Sequence, residues 1–165
     1  FFEGGIRVPF TMQWPKKIKP GITYDKPIIA LDVFATVASA ASAEKYIKND
    51  IDGVDLLPYL TGDKFGLPHE YLYWQNPDKD IDVVRDERYK YLRIKNDEYI
   101  FDLKNDISEE TNIINSSKPI YNRLKSQFKE WEKGMIDPVF MDLGMGKEYN
   151  KLNPDRWYND SNPKK

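Results

Sequence analysis

The amino-acid sequence predicts an α/β fold in which an antiparallel sheet packs on a long helix. Two segments, residues 30–43 and 118–133, repeat apolar residues every three or four positions, as an amphipathic helix does. Between them lie four short segments rich in β-branched and aromatic residues, joined by a few polar residues each. Connections this short join antiparallel neighbours and predict a meander. The predicted strands are residues 70–75, 80–85, 89–95 and 99–103.

Composition and charge restrict the classes of function that the chain can perform. Its 165 residues fit one domain, and 40% hydrophobic with 32% charged residues is typical of a globular protein. The net charge of −2 indicates neither a nucleic-acid partner nor an anionic membrane partner. The absence of cysteine excludes disulfides and zinc–thiolate sites, and the single histidine, His69, excludes a site with two imidazoles. No apolar run approaches the roughly 20 residues of a membrane helix, so we predict no membrane span.

The N-terminal half begins in a glycine-containing turn without an initiator methionine, so residue 1 is interpreted as a truncation or cleavage point. Apolar and polar residues alternate from residue 7 to residue 14, which predicts a strand, and Pro9 within it favours a sheet edge. The helix predicted over residues 30–43 carries an apolar stripe that no neighbouring segment of this chain covers. We therefore expect the stripe to be exposed in this chain and buried in the complete protein. Gly62 is expected to end a short helical turn. The stripe consists of Leu31, Phe34, Val37, Ala38 and Ala41.

The C-terminal half continues from the meander into a second helix with clear boundary signals. Ser117 is placed to cap this helix, Pro119 is tolerated in its first turn, and Gly134 ends it. The apolar stripe of the helix is expected to cover the sheet. Residues 136–165 are polar, aromatic and rich in Asn and Pro, and we expect them to wrap over a surface. The stripe consists of Ile120, Tyr121, Leu124, Phe128 and Trp131.

Several short motifs occur in the order that one known family uses. The chain opens with Glu3-Gly4-Gly5-Ile6-Arg7-Val8-Pro9, followed by Trp14-Pro15 and Leu31-Asp32-Val33-Phe34-Ala35-Thr36. Later motifs are Asp52-Gly53-Val54-Asp55-Leu56-Leu57-Pro58, Leu72-Tyr73-Trp74, Val84-Arg85-Asp86 and Ile100-Phe101-Asp102-Leu103. In this order they resemble the last third of type I sulfatases, with Ala35 where the family often has proline. The resemblance covers roughly residues 1–135.

The resemblance implies a fold and a reaction. Type I sulfatases are similar in fold to alkaline phosphatase, with a large α/β domain before a subdomain in which a four-stranded antiparallel sheet packs on a long helix. By this resemblance residues 1–62 end the large domain, residues 63–135 form the C-terminal subdomain, and residues 136–165 form a tail. The implied reaction is hydrolysis of a sulfate ester of a carbohydrate by a hydrated formylglycine, with a divalent cation, usually calcium.

The residues that would perform this chemistry are missing from the sequence. The family makes formylglycine within Cys/Ser-x-Pro-x-Arg, and the nearest match, Ser117-Lys118-Pro119-Ile120-Tyr121, has tyrosine in place of arginine. Asp32 has no paired carboxylate or amide nearby and is interpreted as a residue that orders the end of its helix. We therefore predict no catalytic residue and no metal ligand in this chain. The expected partner is an N-terminal catalytic part of the same protein, which carries the formylglycine and the calcium site.

The turn at Glu3, Gly4 and Gly5 is expected at the edge of the sulfate pocket, because in relatives a sulfate-contacting lysine closely precedes it. Arg7 either contacts the substrate, orients the preceding loop, or forms a buried ion pair with Glu3 that fixes the turn. Gly4 and Gly5 are expected to adopt backbone angles that a side chain forbids.

Four later residues are further candidates for substrate binding. His69 either hydrogen-bonds the substrate or lies on plain surface. Trp74 either stacks on a sugar ring or fills the core under the C-terminal helix, and Gln75 follows it at the end of a strand. Arg85 either binds an anion, since guanidinium matches sulfate geometry, or pairs with a neighbouring carboxylate. The neighbouring carboxylates are Asp82, Asp86 and Glu87. In the tail, Arg156-Trp157-Tyr158 is a further cluster suited to sugars.

The sequence alone is also compatible with two other functions. One is part of a phosphodiesterase or phosphonate hydrolase on the same scaffold, whose upstream sequence would carry a threonine nucleophile. The other is an independent carbohydrate-binding module, although the apolar strand at 7–14 has no partner in this chain. The resemblance, with the bias toward Lys, Asn, Ile and Asp, predicts a periplasmic or secreted bacterial protein.

Overall fold

The structure of the protein, a computed structural model, describes residues 1–136, apart from the Asp78 side chain. Within these residues four helices and four strands follow one another. The helices are α1 (Glu3–Ile6), α2 (Leu31–Ala40), α3 (Leu57–Thr61) and α4 (Lys118–Glu132). The strands are β1 (Leu72–Asn76), β2 (Ile81–Arg85), β3 (Tyr89–Ile94) and β4 (Asp97–Asp102). Two short 3₁₀ turns cover Glu44–Tyr46 and Pro77–Lys79.

The four strands form one antiparallel meander in the order β1-β2-β3-β4, which confirms the predicted sheet. Partners across the sheet are Trp74 with Val83, Val83 with Leu92, and Leu92 with Tyr99, so these side chains share one face. The strand boundaries differ from the predicted ones by only a residue or two at each end. Short polar connections therefore identified both the pairing and the direction of the strands.

Helix α4 covers one face of the sheet, as its apolar stripe predicts. The buried core of this face consists of Val84, Tyr91, Ile100, Leu124 and Phe128. At its edge the rings of Tyr73 and Trp131 stack with their centroids 4.9 Å apart. The predicted cap is wrong, because the Ser117 hydroxyl makes no capping hydrogen bond. Ser117 has φ −133° and ψ 46°, away from the extended backbone in which a capping side chain reaches back to the helix.

The opposite face of the sheet forms a second, smaller core. Val83, Leu92 and Phe101 are buried there, and Trp74 packs against them half-buried. The start of the chain reaches this face, with the ring of Phe2 centred 6.4 Å from that of Phe101. The N-terminal turn is thus folded against the sheet side that faces away from α4.

The strand predicted over residues 7–14 is wrong for this structure. The segment makes no sheet pairing, and Val8 and Phe10 are 70% and 48% exposed. A strand needs a neighbouring backbone for its N–H and C=O groups, and none of residues 1–136 supplies one here. The alternating pattern shows which side chains would share a face but cannot show whether a partner is present.

Helix α2 forms where predicted but turns its apolar stripe outward. Leu31, Phe34 and Val37 are 53%, 59% and 60% exposed, whereas Asp32 and Thr36 on the opposite face are buried. Apart from the buried Ala38, the stripe is therefore exposed, as expected for a chain that lacks the layer on which the stripe docks. Hydrogen bonds decide the orientation, because the Asp32 carboxylate and the Thr36 hydroxyl both accept from main-chain N–H groups of the loop that precedes α3.

Glu98 joins α4 to the sheet and makes part of the fold sensitive to acid. Its carboxylate accepts hydrogen bonds from Tyr91 at 2.6 Å, Lys125 at 2.7 Å and Tyr121 at 2.8 Å. Burial alone would raise the pKa of Glu98, but these hydrogen bonds outweigh burial and lower the pKa to about 2. A depressed carboxylate pKa stabilises the fold fully above the unfolded pKa, near 4.5, and the effect is lost as pH falls through about 2.

We expect Glu98 to contribute roughly 1–2 kcal/mol to this acid sensitivity, because solvent screens a partly exposed ion pair. The measurement is the free energy of unfolding of the complete protein as a function of pH. Glu98→Gln should show a shallower fall between pH 4.5 and 2 than the parent. Asp102→Asn is the matched comparison, because the Arg88 hydrogen bond lowers the pKa of Asp102 to about 2 as well. Identical acid profiles for the parent and Glu98→Gln would contradict the assignment.

None of the helices in residues 1–136 combines the length and the apolar character needed to cross a membrane. The expected tail and its Arg156-Trp157-Tyr158 cluster lie outside the described residues, with the exception of residue 136.

Candidate functional site

A cluster of four charged side chains fixes the N-terminal turn on the sheet. Glu3 of α1 is 2% exposed, and its carboxylate accepts hydrogen bonds from Arg85 Nη1 at 2.9 Å and from Lys90 Nζ at 3.2 Å. The backbone N–H of Glu3 donates to Glu109 Oε2 at 2.5 Å. Two carboxylates thus face two cations, and each buried charge has the opposite partner that burial requires. Glu3, Arg85, Lys90 and Glu109 are called the ion cluster below.

Lys90 lies at the centre of the ion cluster with 0% of its surface exposed. Its ammonium donates hydrogen bonds to the Phe1 carbonyl at 2.6 Å and to the Glu3 carboxylate. It also lies 2.7 Å from Glu109 Oε1, which makes this contact an ion pair, although the angles are not those of a hydrogen bond. Neither Lys90 nor Glu109 was a candidate from the sequence. The strand pattern could have indicated that Lys90 is buried, because Lys90 shares a strand face with the apolar Leu92. No sequence pattern indicates that Glu109 is buried, because Glu109 lies in an irregular loop after β4, with φ +57°.

A groove of about 570 Å³ opens beside the ion cluster, between the N-terminal segment and the β1 edge of the sheet. Residues 24–30 and Val33 of α2 form its other side. The candidate residues from the sequence that line it are Glu3, Gly5, Arg7, Trp74 and Arg85. A second groove of about 480 Å³ lies on the other side of α1 and is lined by Gly4. The fold therefore brings most of the candidates together from distant parts of the sequence.

Gln75 and His69 do not line this groove. The Gln75 amide donates to Asp82 at 3.3 Å and to Glu132 at 3.0 Å, on the sheet face that α4 covers. Adjacent strand residues point to opposite faces, so Trp74 and Gln75 cannot line one pocket. For the same reason the alternative that Trp74 fills the core under α4 is wrong.

His69 binds a buried carboxylate, so the alternative of plain surface is wrong. Its Nε2 lies 2.7 Å from Asp32 Oδ1, and Asp32 also accepts hydrogen bonds from the N–H groups of Ile29 and Val54, each at 2.8 Å. Burial alone would raise the pKa of Asp32, but the hydrogen bonds from His69 and from the two N–H groups outweigh it and lower the pKa. Asp32 therefore orders the chain at the start of α2, as the sequence predicts.

The ion pair predicted between Glu3 and Arg7 is wrong. The α1 turn directs Glu3 into the sheet, where it meets Arg85, and leaves Arg7 exposed. Gly4 and Gly5 also differ from expectation. Both lie in a helical turn, and a Cβ on either would meet nothing within 4 Å, so forbidden backbone angles do not explain them. The space in front of the two glycines is open.

The carboxylate that pairs with Arg85 was also predicted wrongly. Its partner is Glu3, 82 residues away along the chain, rather than Asp82, Asp86 or Glu87. The β2 pleat directs Arg85 to the sheet face opposite α4, where Glu3 lies, whereas Asp82 binds Arg93 on the α4 face. The partners predicted for Arg85 are close to it in sequence. The pleat places the Asp82 side chain on the opposite face of the sheet.

The described residues do not fit a metal ion or a formylglycine. No group of three or more His, Asp or Glu side chains within residues 1–136 could hold a metal. Asp32 is already hydrogen-bonded to His69 and two N–H groups, and the carboxylates of Glu3 and Glu109 face Lys90. Ser117 begins α4 and has no arginine in the position that the formylglycine motif requires.

Comparisons with known proteins agree with the motifs found in the sequence. Residues 1–134 match the model of the family described as N-sulphoglucosamine sulphohydrolase, C-terminal. Mouse steryl-sulfatase is 44% identical over 72 residues, which are 44% of this chain and 12% of that protein. An ulvan-active sulfatase from Formosa agariphila is 35% identical over 97 residues, covering 54% of this chain and 19% of that protein. The chain thus spans less than a fifth of the length of these two relatives.

A solved structure shares the fold. The crystal structure of Ps i-CgsB matches with a TM-score of 0.66 at 21% identity, covering 90% of this chain and 34% of that one. The overall fold of this chain is therefore a known one.

Proposed function

This chain belongs to the sulfatase family as the C-terminal part of a sulfatase, and we propose that the complete protein hydrolyses sulfate esters of a carbohydrate. The observation that carries the proposal is the groove beside α1, which combines an exposed arginine with an aromatic wall. A guanidinium suits the geometry of a sulfate, and a flat indole suits the C–H face of a sugar ring. The ulvan-active relative, by its name, acts on a carbohydrate, which supports this substrate class.

Within the groove we assign different roles to the two arginines. Arg7 is exposed and available for an anion, so we propose it as a substrate contact. Arg85 is bound to Glu3 and to the carbonyls of Asp86 and Glu87, so its role is to hold Glu3 in place. Trp74 is proposed as the platform for the sugar. The open space before Gly4 and Gly5 leaves room for the substrate at the groove edge.

We propose that the remaining partner is the N-terminal catalytic part of the same protein. Most of the apolar stripe of α2 and the side chains of Val8 and Phe10 are exposed in this chain, and burying such apolar surface favours association. Residues 1–62 would then complete the large domain, and residues 63–135 would form the subdomain. The upstream part would carry the formylglycine and the calcium site. A periplasmic or secreted location is part of the same proposal.

The test is to express residues 1–165 alone and together with the upstream polypeptide as a separate chain. Alone, the chain should not hydrolyse an aryl sulfate, with or without added calcium, and should aggregate through its exposed apolar surface. With the upstream part it should form a stable, active complex. Metal-dependent turnover by the chain alone, abolished by substituting one of its own carboxylates, would overturn the proposal.

A pair of matched variants shows whether α2 is the docking surface. Phe34→Asp places a charge on the exposed stripe and should abolish association and turnover together. Ser126→Asp introduces the same side chain on the exposed face of α4 and should leave both unchanged. If the lone chain is monomeric, folds cooperatively and ignores the upstream part, it is an autonomous module, and the glycan-binding alternative takes its place.

A further inference from the structure

We infer that Lys90 and Glu109 are positioning residues of the proposed sulfatase site, which act by fixing the backbone of the turn at its edge. The inference rests on the proposed function. Neither residue lines the larger groove, and both contact the short segment that leads into Gly4, Gly5 and Arg7.

The contacts reach main-chain atoms as well as side chains. Lys90 donates to the carbonyl of Phe1 at 2.6 Å, and Glu109 accepts from the N–H of Glu3 at 2.5 Å. These two bonds hold the backbone on both sides of Phe2, immediately before α1. Lys90 also donates a hydrogen bond to the Glu3 carboxylate, so three hydrogen bonds hold the first turn.

The burial of the ion cluster argues for a positional role. Lys90 and Glu3 are 0% and 2% exposed, and Glu109 is 8% exposed. Apolar residues of similar volume often stabilise a protein as well as a buried ion pair does, so stability alone is weak grounds for such a cluster. In a site without water, charged groups position their neighbours more strictly than apolar groups do. The hydrogen bonds of an ammonium or a carboxylate are directional, whereas apolar contacts are not.

Direction matters here because the turn borders the proposed sulfate pocket. Displacing a substrate-contacting group by about 1 Å can lower a rate by about a hundredfold. Removing Lys90 would release the Phe1 carbonyl and one oxygen of Glu3 together. The backbone of Arg7, whose N–H donates to the Glu3 carbonyl at 2.8 Å, would then lose its fixed position relative to the groove.

The experiment compares two double variants of the complete protein. Lys90→Met with Glu109→Gln removes one cation and one anion from the ion cluster, so Glu3 and Arg85 stay balanced. The matched control, Lys125→Met with Glu98→Gln, makes the same changes in an ion pair of the same 2.7 Å length on the opposite side of the sheet. For each variant we would measure kcat and KM for an aryl sulfate, inhibition by inorganic sulfate, and amide exchange in residues 2–6.

The first variant should lose about tenfold or more in kcat/KM, weaken inhibition by sulfate and speed amide exchange in residues 2–6. The control should change kcat/KM by less than about threefold, although its melting temperature falls as well. Equal effects of the two variants on kcat/KM, or an unchanged kcat/KM in the first, would overturn the inference.

Two precautions keep this outcome separate from that of the proposed function. Turnover of the aryl sulfate by the parent protein tests its sulfatase activity before any variant is made. If the parent instead hydrolyses another ester, the ratio of variant to parent on that ester still decides the positioning role. If the double variant does not fold, Glu109→Ala alone serves, because it removes the acceptor of the Glu3 N–H, and undiminished kcat/KM there would also contradict the inference.

Discussion

Replacing Phe128 with alanine in the complete protein is expected to lower the free energy of unfolding by about 3–5 kcal/mol. Phe128 is 3% exposed in the core between α4 and the sheet, and its ring centre lies 5.5 Å from that of Trp131. The truncation removes apolar surface from this core and leaves a cavity that the surrounding strands cannot close. Denaturant and thermal unfolding of the purified protein provide the measurement.

The same position supplies the control for this prediction. Phe128→Leu retains much of the buried apolar volume and should lower the free energy of unfolding by only about 1–1.5 kcal/mol. A loss below about 1 kcal/mol for Phe128→Ala would mean that α4 does not pack on the sheet in the complete protein.

Asp32→Ala is expected to destabilise the protein by a similar amount, about 3–5 kcal/mol, through polar rather than apolar losses. The carboxylate is 0% exposed and holds His69 and two main-chain N–H groups. Hydrogen bonds to an ionised group contribute about 1.5–3 kcal/mol each, and the freed N–H groups would remain unpaired. These bonds join the start of α2 to the loop before α3 and to the segment before β1, so their loss should also increase amide exchange in that loop.

The matched control is Asp25→Ala, which makes the same change in a side chain that is 81% exposed and 3.9 Å from Lys26. An exposed ion pair contributes at most about 1 kcal/mol, so this variant should be nearly as stable as the parent. Asp32→Asn should fall between the two, because the amide oxygen still accepts a hydrogen bond but carries no charge. Equal stability of Asp32→Ala and Asp25→Ala would show that the Asp32 network does not contribute.

The sequence predicted local structure well and long-range pairing poorly. Alternation and short polar connections predicted the meander, and the stripe of α4 predicted which side covers the sheet. The partners of charged side chains were chosen among neighbours in sequence, and Arg85 shows why that failed. Its guanidinium meets Glu3 only because the fold places α1 on the sheet face away from α4.

The candidate site shows the same division. The motifs from Glu3 to Arg7 identified the family and the segment that borders the groove, because they depend on residue types in a fixed order. They could not show that Lys90 and Glu109 hold that segment, since these residues lie 87 and 106 positions away from Glu3.

The sequence by itself determined the four meander strands, their antiparallel pairing, the helix that covers the sheet and the resemblance to sulfatases. Each depends on periodicity or on order along the chain, both of which are written in consecutive residues. Only the tertiary structure decided that Asp32 and Thr36 of α2 are buried, that Trp74 rather than Gln75 lies on the sheet face away from α4, and that Lys90 is buried among carboxylates. Those outcomes depend on which groups meet in a water-poor interior, where an ion or hydrogen-bonding group must find its partner wherever it lies in the chain.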